Sequence, residues 1–358
     1  MTGGSEILWT RTSSLLLQEG HAVSISVPDI PGAREAFENL RGQGAEVQCY
    51  PVERSSPRTL PLEGEQFDLV IINQGGSHDG LQWAETCARR NLPFVTISQA
   101  VRPRSWPDDR LTTRILGAFS KAKQNFFVSH GNLKLFEYQL AAKLTPAAII
   151  HNPAAIENRS VLPWPSEDQG YRLACVGRLS PIDKRQDLIL QVMGQEKWKR
   201  RPLTITFVGT GNHLQMLTRM RASLGLEKQV SFAGWVPDIL EVWKNHHGLL
   251  QPSASEGCSL ALVEAMWCGR LAIVSPVADN DLLIEDGVNG TLMENHSAQA
   301  LDEAMERAWQ ERSHWKTWGE QSHARILQHA PIDPVRDFCD RILSLVQPTP
   351  NDKILGRP

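Results

Sequence analysis

The residues best suited to chemistry in this chain are a pair of glutamates, a pair of cations and a set of glycine turns. Glu256 and Glu264 lie in Ser253–Arg270, which reads SASEGCSLALVEAMWCGR and follows the apolar run ending at Leu250. Ser259 is placed to cap a helix running to about Cys268, and Gly269 to end it. A helix start behind a strand leaves N–H groups unpaired at the positive end of the dipole, which suits a diphosphate. Gly257 lets backbone come close to such a ligand. Glu256 in the loop and Glu264 inside the helix are spaced to hold different parts of one ligand, a polar head group and a sugar diol. From the residues alone they read equally well as a dipole-complementing acid and a solvated helix residue.

The cations are Arg178 and Lys184. They follow Cys175-Val176-Gly177, a strand end and a glycine turn. Arg178 is able to fork onto phosphate oxygens and Lys184 to add a point charge, although two surface cations would look the same. Phe207-Val208-Gly209-Thr210-Gly211-Asn212 is another strand and glycine turn. Without a third glycine it is a weak dinucleotide signal, but it leaves room for a base or ribose on Gly209 and Gly211. Gly3-Gly4-Ser5-Glu6 opens a helix with a glycine pair. In the first half, His78 follows an apolar strand in Asn73–Asp79, and His130 follows Phe127-Val128-Ser129. Arg102, Arg104, Arg110, Arg114, Lys121 and Lys123 gather around Trp106, offset by Asp108 and Asp109. That cluster reads as a solvated helix face, or as an attractor for an anionic acceptor or a membrane face. Lys197–Arg201 reads as a solvated basic turn around a packed Trp198.

These groups need elements to hold them. Short apolar runs such as Pro93–Ile97, Leu173–Val176, Leu203–Val208 and Leu271–Val274 alternate with amphipathic stretches. The pattern predicts parallel strands covered by helices, an α/β fold of two doubly wound domains facing a cleft. At roughly 100–200 residues per domain, 358 residues suit two. The Pro- and Trp-containing segment Asn158–Gly170 reads as a linker. It divides the chain into 1–163 and 164–330, with 331–358 as a final helix and a polar tail. After Met293 the pattern is helical. The 37 basic and 40 acidic residues exclude a general basic coat for nucleic acid. The six cysteines form no C-x-x-C pair, and the eleven histidines show no zinc-ligand spacing, so neither a disulfide framework nor a metal site is expected. No export signal or apolar span is visible, which predicts a cytoplasmic protein.

Together, GGSE, VGRLSPIDK, FVGTGN, FAGWVPD, SEGCSLALVEAMWCG and IEDGVNGTL resemble the large GT-B retaining glycosyltransferase family 4, in the same order along nearly the whole chain. Glu256 and Glu264 match that family's E-x7-E pair. The resemblance implies a GT-B fold of two Rossmann-like domains. The N-terminal one would take the acceptor. The C-terminal one would bind a nucleotide diphosphate sugar, UDP- or GDP-linked, without a metal or other cofactor. Arg178 and Lys184 would neutralise the diphosphate after Gly177. Backbone N–H groups of Cys258, Ser259 and Leu260 would cap it beside Gly257. Glu264 would hold the ribose, Glu256 would contact the donor sugar, and Gly234, Trp235 and Val236 would lie near the base. Gly4 would approach the phosphates, His78 would lie near the sugar, and the last helix would cross back to the N-terminal domain. The catalytic set is then Glu256, His78, Arg178 and Lys184.

The family has a strand before the glycine pair, and this chain begins almost at the pair, so the first strand is expected to be missing. The acceptor is left as a glycan, lipid or small molecule, with surface polysaccharide synthesis as one setting and a weak peripheral contact at the inner membrane face as a further expectation. The alternatives are a non-catalytic nucleotide-sugar-binding or partner subunit, and a GT-B nucleotide-sugar epimerase. The E-x7-E pair favours transfer over epimerisation. A glycosidase fits poorly, because two carboxylates on one helix start do not flank a bond from opposite sides.

Overall fold

The computed structural model describes residues 4–28, 34–50, 66–156 and 159–346. Gly3 and the tail 347–358 lie outside these. The chain forms two compact units, Met1–Pro153 with Pro331–Pro358, and Ala154–Ala330.

In the first unit, α1 (Gly4–Gln18), β1 (Ser24–Pro28), α2 (Arg34–Gly42) and β2 (Glu46–Tyr50) come first. Then follow β3 (Val70–Gln74), α3 (Leu81–Arg90), β4 (Phe94–Ser98), α4 (Asp109–Phe119), β5 (Gln124–Phe127), α5 (His130–Leu140) and β6 (Ala147–Ile149). Among the described residues the strands form two separate parallel sheets, β1-β2 and β3-β4-β5-β6. β4 is buried along its whole length, which is why Phe94–Ser98 reads as an uninterrupted apolar run. Phe94, Ile115, Phe119, Phe127 and Phe136 are fully buried and make the core under the four-stranded sheet. Asp108 and Ser129 cap α4 and α5 by accepting from Leu111 N and Asn132 N.

The second unit runs β7 (Tyr171–Val176), α6 (Gln186–Met193), α7 (Glu196–Lys199), β8 (Leu203–Val208), α8 (Leu214–Ser223), β9 (Val230–Gly234), α9 (Ile239–Asn245) and β10 (Gly248–Gln251). It continues with α10 (Leu260–Trp267), β11 (Leu271–Val274), α11 (Asn280–Leu283), β12 (Gly290–Leu292), α12 (Ala298–Gln310) and α13 (Trp315–His329). The sheet order is β12-β11-β10-β7-β8-β9, all parallel. Numbered within the unit this is the Rossmann order, with its reversal between β7 and β10. A separate apolar core covers each face, one built on Leu173, Phe207, Trp198 and Leu301, the other on Ala174, Trp243, Leu249 and Met266.

A last helix, α14 (Pro334–Leu345), belongs to the first unit. Phe338 meets Phe126 edge-on at 5.6 Å, and Arg341 donates to Ile149 O at 3.1 Å. Arg336 bridges Glu19, just after α1, and Asp340.

One basic segment differs from its sequence reading. Lys197–Arg201 is a clamp, not a solvated turn. Lys197 and Arg201 pair with Asp302 and Glu306 of α12, Trp198 is fully buried, and its indole donates to Asp302 at 2.6 Å. The segment read as a linker is fastened to the second unit by Arg270. This arginine is fully buried, with no carboxylate partner among the described residues. Its guanidinium donates to Trp243 O (2.7 Å), Pro163 O (2.7 Å), Cys268 O (3.1 Å) and Leu162 O (3.2 Å), and lies 5.5 Å from the Trp164 ring centre. The negative end of the α10 dipole at Cys268 supplies part of the compensation. Burial still pulls the Arg270 pKa down to about 10.

Replacing Arg270 by Met takes this donor from the Trp243, Leu162 and Pro163 carbonyls, while Cys268 O keeps Leu162 N. The expected cost is at least about 3 kcal/mol, because each buried unpaired group costs about 1–3 kcal/mol. It should appear as a lower thermal midpoint, only partly recovered in Arg270→Lys. A midpoint equal to wild type would show that the strap needs no guanidinium.

Candidate functional site

Strand pairing in the second unit decides which loops meet. Gly248 and Leu249 of β10 pair with Leu173 and Ala174 of β7, so the chain leaving β7 at Gly177 lies beside the chain leaving β10 at Gln251. In open α/β sheets the crevice at such a reversal is where ligands bind. The β7 loop turns tightly on Ser180, whose carbonyl accepts from Asp183 N and Lys184 N at 3.1 and 2.7 Å. Gln186 braces it by donating to Arg178 O at 2.9 Å. The carbonyl of Asp183 accepts from Ala254 N at 2.7 Å, joining the two loops.

At this junction Lys184 Nζ lies 2.5 Å from Glu256 Oε1, with side-chain exposures of 20% and 6%. The same oxygen accepts from Ser253 Oγ at 2.6 Å and Gln251 Nε2 at 3.3 Å. A buried ion pair repays its desolvation only with such extra donors. Ser275 Oγ donates to Ser253 O at 2.5 Å, and Asn280 donates to Ser275 O at 2.9 Å. The turn is thus tied to the start of the next one. Gly177 has φ +151, and a Cβ there would sit 3.2 Å from Lys184 Cε. The glycine leaves the lysine stem its path.

Gly209 and Gly211 are accounted for by packing. A Cβ on Gly209 would lie 2.1 Å from Gly177 O, and one on Gly211 would lie 2.4 Å from Leu179 O. The turn after β8 is pressed onto the turn after β7. Gly209 N also donates to Gly234 O at 2.6 Å. Trp235 is exposed on the β9 loop and Val236 is half-buried.

Helix α10 starts at this junction. Ser259 is its N-cap, but its hydroxyl caps nothing. It is buried and without a partner. Among the described residues the amides of Cys258 and Ser259 donate to no acceptor, while Leu260 N donates to Cys258 O at 2.9 Å. The Cys258 thiol, pushed up to about 12 by burial, stays neutral. Glu264 lies inward, 7% exposed, and its carboxylate accepts from Ala155 N at 3.2 Å. Burial raises its pKa to about 7. The solvated-helix reading of Glu264 is therefore replaced by a buried carboxyl with no cation among the described residues. Arg178 is exposed and has no ion-pair partner among the described residues.

The structure thus brings Gly177, Lys184, Glu256, Cys258, Ser259 and Glu264 to one end of one sheet. Gly4 and His78 belong to the first unit. Gly4 is the first residue of α1, and His78 Nδ1 lies 3.0 Å from Ser77 Oγ in the loop after β3. His130 opens α5 and is exposed. Gln251, Ser253 and Gln186 escaped the sequence reading. The available signal was a polar residue closing an apolar run, as in Gly248-Leu249-Leu250-Gln251.

An all-parallel sheet of Rossmann order, with a lysine–glutamate pair and a helix start at its reversal, is a doubly wound α/β domain. Residues 170–311 match the family model Glycosyl transferases group 1. The D-inositol 3-phosphate glycosyltransferase of Frankia alni is 26% identical over 159 residues, 41% of this chain and 39% of that protein. Its namesake in Rhodococcus erythropolis is 29% identical over 140 residues, 37% of this chain and 31% of that protein. The chain spans less than half the length of these curated relatives. Among solved structures, Anabaena Alr3699/HepE in complex with UDP has a TM-score of 0.73 at 18% identity, covering 96% of both chains. A glycosyltransferase from Rickettsia africae ESF-5 has a TM-score of 0.71 at 13% identity, covering 98% of this chain and 97% of its own. The fold class is GT-B, with two Rossmann-like parallel α/β domains.

Glu264 makes stability pH-dependent. Its folded pKa lies above the ordinary carboxyl value of 4.5, so the native state keeps a proton that the unfolded chain gives up. Stability falls as pH climbs through that interval. Glu264→Gln removes the effect and should gain on wild type by up to about 3 kcal/mol between about pH 5 and about pH 8. Denaturant unfolding across that range checks it. A difference that does not change with pH removes the buried-carboxyl account.

Proposed function

We propose that the protein is a retaining glycosyltransferase that moves a sugar from a nucleotide diphosphate sugar, UDP- or GDP-linked, to a hydroxyl of a glycan, lipid or small-molecule acceptor. The observation that carries this reading is the meeting of the Lys184–Glu256 pair with the α10 start, where two amides and the buried Ser259 hydroxyl lack partners. The family match over this unit supports it. So do the names of the curated relatives and the UDP and UDP-glucose found with the Anabaena protein.

In this reading the diphosphate sits against Cys258, Ser259 and Leu260, with Lys184 at its side and the exposed Arg178 closing on it. Cleavage of the anomeric C–O bond leaves a nucleotide diphosphate richer in negative charge. Preorganised cations and amides stabilise that charge more in the transition state than in the ground state. No metal ion is assigned a role. Glu264 accepts from the ribose diol, replacing its own proton with ligand donors. Glu256 orients Lys184 and meets a hydroxyl of the donor sugar. Trp235 and Val236 flank the base. The acceptor attacks from the leaving-group side, and His78 in the first unit is assigned to the sugar.

A second reading is a nucleotide-sugar-binding subunit without turnover. The sheet of the first unit, in two pieces among the described residues, favours it.

Thermal shift and donor hydrolysis with a panel of UDP-, GDP- and ADP-sugars test both. Stabilisation by one donor with turnover is expected. Stabilisation without turnover, acceptors included, would leave the binding subunit. Lys184→Ala should cost about 3–4 kcal/mol of barrier, as loss of one preorganised donor does elsewhere. Gly177→Ala should weaken donor binding by displacing the lysine stem. Unchanged donor affinity in both variants removes the assignment of the site.

A further inference from the structure

On the first unit, two large aromatic side chains that have no role above stand in water side by side. Trp106 is 56% exposed and Tyr138 71%. Their rings meet edge-on at 5.5 Å. Neither is on a loose segment. Val101 N donates to Asn132 Oδ1 at 2.5 Å, and Gln139 Nε2 donates to Arg102 O at 2.8 Å, which clamps the 101–106 loop onto α5. The indole N–H of Trp106 is already satisfied by Pro103 O at 3.0 Å. The ring can therefore leave water without stranding a donor, while the Tyr138 hydroxyl remains a polar tip.

The surroundings are basic. Arg102, Arg104, Arg110 and Lys134 are exposed and form no ion pair among the described residues, and Lys134 lies one turn before Tyr138 on α5. Nearby cations elsewhere are paired, Arg114 with Glu85 and Lys143 with Glu137. Of the two local acids, Asp108 is engaged in capping α4 at Leu111 N, 2.7 Å away.

We propose that this surface docks on a bilayer carrying anionic headgroups, with Trp106 and Tyr138 at the interface and the four cations on lipid phosphates. Amphipathic aromatics flanked by unpaired cations are the side chains that such an interface selects. An aromatic pair standing proud of the surface, with its donor satisfied from within, also suits a fluid boundary better than a pocketed partner.

The test is flotation of the full chain with phosphatidylcholine vesicles, with and without phosphatidylglycerol. The protein should float only with the anionic vesicles, and added salt should release it. Trp106→Ser/Tyr138→Ser and Arg104→Gln/Lys134→Gln should each cut recovery about tenfold. Their thermal midpoints and responses to nucleotide sugars should match wild type. Leu327→Ser, which removes an exposed apolar side chain from the second unit, should float as wild type does. Equal recovery on neutral vesicles, undiminished recovery of either double variant, or no recovery of folded wild type overturns the proposal. So does a patch needed only for self-association or for a protein partner.

Discussion

The site depends on the parallel pairing of β7 with β10. At that pairing the sheet order reverses, and the two following connections go to different places. One leads to the Lys184 turn and α6, the other to the Glu256 turn and α10. Residues 72 apart in sequence therefore meet at 2.5 Å. An ion pair this enclosed holds only if its remaining polar atoms are served. Ser253 and Gln251 serve the carboxylate, and the Asp183 carbonyl locks the two turns together. The functional geometry is thus a consequence of sheet topology more than of either loop.

How far this was legible in the sequence follows from burial. β10 and β11 are buried along their whole length and have near-continuous apolar sequences, so their positions could be read directly. β2, Glu46–Tyr50, is exposed or half-buried throughout and has no apolar run to find. β12 has three residues, too few to show a period. The site followed the same logic. Lysine, glutamate and helix start were visible as types, but their pairing needs the strand order, which no local pattern contains. Gln251 was invisible because a buried polar residue at the end of an apolar strand looks like the start of a loop.

The glycine turns show why motif and role separate. Gly177, Gly209 and Gly211 could each admit a ligand, yet Gly209 and Gly211 admit the protein's own backbone and Gly177 admits the Lys184 side chain. The turns after β7 and β8 interlock at distances no Cβ tolerates, and this interlock sets the height at which Lys184 crosses Gly177. Unfilled amides appear instead at α10, one strand over, where Gly257 and Ser259 precede the helix. The glycine turns thereby act as the rigid floor under the lysine.

The two glutamates of Ser253–Arg270 illustrate opposite solutions to one cost. Glu256 gathers a cation and two neutral donors on one oxygen. Glu264, equally buried, has a single backbone donor, and its pKa rises to about 7. A carboxyl poised there is held neutral or ionic by whatever donors come near. On the proposed reading, a ribose diol provides two hydroxyl donors in place of the proton, so binding the nucleoside and ionising Glu264 become one event. An acid already compensated by an arginine would gain nothing from the diol. Leaving Glu264 unsupported reserves its hydrogen bonds for a ligand, at the expense of the unliganded fold.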